Sequence, residues 1–66
     1  MIIHLNGKPQ EFDEPLNITQ LVEIIEVRVH LFVVEHSNNI VHKDDYDTVL
    51  LKNQDKIEIV SFVGGG

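Results

Sequence analysis

Three of the four glycines in this 66-residue chain are its last three residues, Gly64, Gly65 and Gly66. With glycine at about 7% of an average composition, chance produces such an ending in roughly three or four of ten thousand chains. A tail without side chains enters channels too narrow for a Cβ and adopts φ > 0 conformations closed to other residues. The group it would present is the carboxylate of Gly66. A carboxylate is a poor electrophile, so chemistry there requires activation, typically as a mixed anhydride with AMP, before a nucleophile attacks. The domain would then act as a handle, with the catalytic groups supplied by an activating enzyme. The competing reading is a flexible end or linker. Against it, these glycines follow an apolar strand without the serine or charged spacers common in linkers.

The other chemistry-bearing residues support only bland readings. His30, His36 and His42 are six apart, which fits neither helical neighbours nor the spacing of histidine zinc sites. With His4 they read as surface histidines, and no metal site is expected. Asp44, Asp45 and Asp47 resemble a calcium loop superficially but lack its glycine and terminal glutamate, so a solvated loop is expected. No cysteine is present, which removes disulfides, thiolate zinc sites and thiol nucleophiles. A domain of this length is also expected to have little room for a pocket of several hundred Å3. A free-standing enzyme is not the reading.

Charge narrows the partners. Five basic residues face eleven acidic ones, for a formal net charge of −6. Nucleic acid and anionic membrane surfaces are therefore excluded as main partners, and docking on a larger protein with a basic surface is favoured. Met1 to Lys8 lacks the pattern of a signal peptide, and the longest unbroken apolar run is only Leu31 to Val34. The chain reads as soluble and cytoplasmic.

Positioning the tail falls to a small, strand-rich domain. Of 28 apolar residues, 17 are valine or isoleucine, whose branched Cβ favours the pleated sheet. Met1 to Leu5 and Lys8 to Phe12 read as a hairpin around Asn6-Gly7, two residues suited to a type I′ turn. Pro9 suggests that one side of the return strand is unpaired. Asn17 and Gln20 form a capping-box pattern, with Leu16 and Leu21 as the staple. Ile18, Leu21, Val22 and Ile25 repeat at helical period, and the helix is expected to end near Val27. Thr19, Glu23 and Glu26 fall on its wet side.

Further strands follow. Phe32 to His36 reads as a buried strand, closed by a turn at Ser37-Asn38-Asn39, with Ile40-Val41 as a short strand. His42 to Asp47 is expected to be a loop or a single helical turn, and Thr48 to Leu51 another strand. After a turn at Asn53-Gln54-Asp55, the last strand, Lys56 to Val63, alternates. Ile57 and Ile59 point one way, and Glu58, Val60 and Phe62 the other. Val60, Phe62 and Val63 are the expected partner-docking residues, because apolar residues leading into a functional tail are well placed for recognition. A hairpin, one helix and further strands predict an α+β fold, a mixed sheet of four or five strands with the helix packed across one face.

The closing segment from Ile57 to Gly66 resembles, almost residue for residue, that of the thiamine-biosynthesis sulfur-carrier (ThiS) family. The likeness extends to Leu5-Asn6-Gly7-Lys8, the Asn17 to Ile25 helix, Val33-Val34-Glu35, Asn39-Ile40-Val41, Tyr46, Leu51 and Asp55. It implies a ubiquitin-like β-grasp domain over residues 1–63 and a flexible glycine tail at 64–66. It also implies that Gly66 is adenylated by a partner enzyme using ATP and magnesium, this chain binding no cofactor itself. The adenylate would become a thiocarboxylate, with sulfur coming through a persulfide-bearing donor protein. Gly64 and Gly65 would thread the partner active sites, and thiazole synthase would receive the sulfur.

The chain departs from the family pattern at three places. Asn53-Gln54-Asp55 stands where Asp-Gly-Asp is common, so a positive φ at Gln54 is costly unless Asn53 takes it. Ser37 replaces a usual asparagine, and Val27 to Leu31 lacks a glycine often found near there. The alternatives are a carrier like the small subunit of molybdopterin synthase, a ubiquitin-like protein modifier, and a plain interaction domain.

Overall fold

The described residues form one five-stranded sheet and one α-helix. The computed structural model describes residues 1–27 and 32–61. In chain order these are β1 (Ile2–Leu5), β2 (Lys8–Glu11), α1 (Ile18–Ile24), β3 (Phe32–His36), β4 (Asn39–Val41) and β5 (Asp55–Ser61), with a 3-10 turn at Lys43–Asp45 before β5. The sheet order is β2-β1-β5-β3-β4, so the last strand lies in the middle. β5 pairs parallel with β1 and antiparallel with β3.

Both hairpins turn on left-handed residues. Asn6 (φ 49°) and Gly7 (φ 83°) join β1 to β2, as the type I′ expectation requires. Ser37 (φ 51°) and Asn38 (φ 70°) do the same between β3 and β4, and Asn39 belongs to the strand rather than the turn. β2 is an edge strand, exposed throughout, which is where Pro9 is tolerated.

The helix starts as its sequence predicts. Asn17 Oδ1 accepts the Gln20 N–H at 2.7 Å, and Asn17 N–H donates to Gln20 Oε1 at 2.8 Å. It ends at Ile24, three residues short of the expected Val27. Glu26 takes φ 53°, its N–H donating to the Glu23 carbonyl, and Val27 N–H donates to that of Val22. This is a Schellman closure with glutamate in the place usually held by glycine.

The core is wholly apolar among the described residues. Ile18 and Leu21 of α1 pack on Ile3, Leu5, Val34 and Ile57 of the sheet, with Leu16 and Leu51 closing the sides.

The expected strand at Thr48 to Leu51 does not form. Thr48 and Val49 spend their N–H groups on the Asp45 carbonyl, and Leu51 N–H donates to Leu16 at 2.8 Å. Only an isolated bridge between Leu50 and Asn17 remains. Periodicity shows that Leu51 is buried; it does not show that its backbone partner is the helix entry instead of a strand.

Candidate functional site

The central strand, β5, is the last described element before the glycines in sequence. Gly64, Gly65 and Gly66, with the expected docking residues Phe62 and Val63, lie outside the described residues. The site is therefore read from the end of β5 that leads to them.

Pleating divides β5 between two tasks. Ile57 is buried and Ile59 packs against the core on the helix side. Glu58 and Val60 face the opposite side of the sheet, and Val60 is 40% exposed. Register pairs Val60 with Val33 of β3, and Glu58 with Glu35. Glu35 in turn pairs with Ile40 of β4, which is 62% exposed. The outer face near the tail is thus Val60 beside Val33, then two carboxylates, then Ile40. Lys56 Nζ lies 3.6 Å from Glu58 on the same strand. Val60 was legible from the alternation of the last strand. Val33 and Ile40 were not singled out, because only the pairing of β3 with β5 and β4 brings them to one face.

The start of β5 is tied down from three sides. Asp55 Oδ2 lies 2.8 Å from His36 Nε2 and accepts the Lys52 N–H at 2.8 Å. Asn53 Oδ1 accepts the Ile2 N–H at 2.7 Å. Gln54 itself adopts φ 73°, so the cost falls on Gln54 and not on Asn53. Its N–H donates to the Ile2 carbonyl at 2.6 Å, and its Oε1 lies 2.7 Å from His4 Nε2. These bonds compensate the strain by clamping the turn to β1.

His4, His36, Asp47 and Asp55 do structural work. His4 and His36 hold the turn at 53–55, His42 is exposed, and His30 lies outside the described residues. Asp47 accepts a hydrogen bond from the Thr19 hydroxyl, and the Tyr46 carbonyl accepts the Thr19 N–H at 3.3 Å, so this acidic loop braces the first turn of α1. Thr19 is accordingly half-buried rather than on the wet side. Burial raises the Tyr46 phenol above its ordinary pKa of 10.0.

An open groove of about 720 Å3 runs between the end of β2 and α1, larger than expected for a chain of this length. Apolar Phe12, Leu16 and Ile24 share its lining with carboxylates and Gln20. Those lining residues include no histidine, serine or threonine to serve as base or nucleophile.

A central strand flanked by two hairpins, under a single helix, is the β-grasp arrangement of ubiquitin-like proteins. The ThiS crystal structure from Geobacter metallireducens superposes on the whole chain with a TM-score of 0.87 at 32% identity, all of both chains being covered. The ThiS family model matches residues 3–66, and so runs through the terminal glycines. The sulfur carrier protein ThiS of Bacillus subtilis is 35% identical, across 98% of this chain and 100% of its own length. A thiazole synthase from Magnetococcus marinus is 33% identical over the whole chain, which spans only 20% of that larger protein. This chain belongs to the ThiS family. It is a sulfur carrier of thiamine biosynthesis, not a catalyst. Among the described residues, no helix is long and apolar enough to cross a membrane.

Proposed function

We propose that the Gly66 carboxylate is the group that carries sulfur. A partner enzyme, holding ATP and magnesium, adenylates it: the carboxylate attacks the α-phosphorus and pyrophosphate leaves. The acyl-adenylate is then a competent electrophile. The terminal sulfur of a donor persulfide displaces AMP to form an acyl disulfide. A reducing thiol then attacks the donor's sulfur: the S–S bond breaks, a donor–thiol disulfide forms, and the terminal thiocarboxylate is released for thiazole synthase. The observation that carries this reading is the family match through residue 66, over a tail continuous with the central strand. Similarity to a stretch of a thiazole synthase chain supports that enzyme as the recipient. Cysteine is absent, so no side-chain thiol competes for the sulfur. We place the carrier in the cytoplasm, where a chain without disulfides loses nothing to reducing thiols.

Gly64 and Gly65 thread the narrow partner sites, where a Cβ would not pass. Val60, Phe62 and Val63 dock on the partners, and Val33 and Ile40 extend that face. Glu35 and Glu58, set among these apolar groups, favour a partner surface with basic residues around an apolar centre.

The test is intact-mass measurement after incubation with the activating enzyme, ATP, a persulfide source and a reducing thiol. The expected result is the mass gain of one oxygen replaced by sulfur, abolished by deleting Gly66 while the fold is kept. A chain that never gains this mass, under conditions where an authentic carrier does, sinks the reading.

A further inference from the structure

The two neighbours of β5 do not extend equally far along it. On one side, β3 accompanies the strand to its last described residue, pairing Phe32 with Ser61. On the other, β1 pairs only as far as Leu5 opposite Ile57, and the chain then turns away at Asn6-Gly7. Asn6 continues the ladder beyond that point. Its N–H donates to the Ile57 carbonyl at 2.9 Å, and its side-chain Oδ1 accepts the Ile59 N–H at 2.8 Å. A carboxamide thus stands where the next backbone carbonyl of a longer β1 would be. Asn6 reaches this position because it sits at φ 49°, a conformation asparagine tolerates better than most residues.

We infer that Asn6 is a positioning residue: its side chain holds β5 in line at Ile59, beside Val60, on the stretch of strand from which the chain runs on toward Gly66. The inference rests on the carrier reading and adds a second role to a residue that the sequence explains by the turn alone. Without this bond, the strand loses one of its two lateral supports next to Val60. Ordering that stretch then falls to the activating enzyme, which weakens docking without altering the chemistry of a carboxylate already in place.

Two variants separate this role from the turn. Asn6→Gly keeps the positive φ at no steric cost and keeps the backbone bond to Ile57, but removes the acceptor. Asn6→Asp keeps an acceptor and tolerates the same backbone. Amide hydrogen exchange is read at Ile59 against Gln54, whose N–H bond to Ile2 lies at the other end of β5. KM and kcat are measured with the activating enzyme by intact mass.

For Asn6→Gly, exchange at Ile59 should rise about fivefold relative to Gln54, as loss of one ordinary hydrogen bond implies. KM should rise by a similar factor with kcat unchanged, and Asn6→Asp should restore both. Unchanged exchange at Ile59, faster exchange with KM at the wild-type value, or an Asn6→Asp variant that behaves like Asn6→Gly overturns the inference while leaving the carrier reading intact. A wild-type chain that is never activated overturns the carrier reading, and the positioning role with it.

Discussion

The two faces of the same sheet have opposite characters. On the helix side, Ile3, Leu5, Val34 and Ile57 are buried against Ile18 and Leu21 without a polar group among them. On the outer side, the intervening residues of the same strands are His4, Val33, Glu35, Lys56, Glu58 and Val60, half-buried or exposed and mixed in chemistry. One residue of chain separates a position that folds the domain from one free to recognise a partner. Among the described residues the helix covers only one face of the sheet, so the pleat divides the labour.

Leu21→Ala tests the folding side and should have the largest effect. It removes a fully buried side chain at a cost of about 3 kcal/mol. A domain of this length holds only about 3–10 kcal/mol in all, so urea unfolding should show most of its stability lost. If Val33→Ala on the outer face costs as much, the division fails.

Val60→Asp tests the recognition side. It should raise KM for the activating enzyme about tenfold, the scale of a significant interface residue, while thermal unfolding shifts little. A large loss of stability with unchanged KM would assign Val60 to the fold instead.

Gln54→Gly sharpens the contrast at the turn feeding β5. The exposed bond to His4 is lost, but the positive φ becomes free of strain, for a net gain of about 0.5–1 kcal/mol in denaturant unfolding. A destabilised variant would show that the His4 contact outweighs the backbone cost.

The smallest effect concerns Tyr46. Its phenol is raised above 10.0 by burial, so above that pH the unfolded chain releases a proton that the folded chain retains. Its contribution is intact below pH 10 and is lost as the pH rises through the folded value. Tyr46→Phe should therefore flatten the alkaline fall in stability measured by denaturant titration. An unchanged slope would mean that the phenol stays solvated.

Much of this molecule is written locally. Asn6-Gly7, the Asn17–Gln20 capping box, the apolar period from Ile18 to Ile25 and the alternation after Asp55 each act over a few residues, so each is legible without partners. Where the structure departs from that expectation, backbone hydrogen bonds decide, long-range in one place and local in another. The segment from Thr48 to Leu51 has strand composition, yet Leu51 bonds to Leu16 and the residues before it fold back on Asp45. The helix closes at Glu26 although no glycine marks the place, because the Val22 and Glu23 carbonyls can still be satisfied by the turn that follows.

The sequence by itself determined the class of element at most positions and the apolar core, because period, capping and side-chain type are properties of neighbouring residues. Only the tertiary structure decided that β5 lies at the centre of the sheet. Only it brought Val33 and Ile40 to the face of Val60 and laid the Asn6 carboxamide against Ile59. The decisive pairings, β3 with β5 and Asn6 with Ile59, span 21 to 53 residues of chain and are fixed by register and burial rather than by local preference.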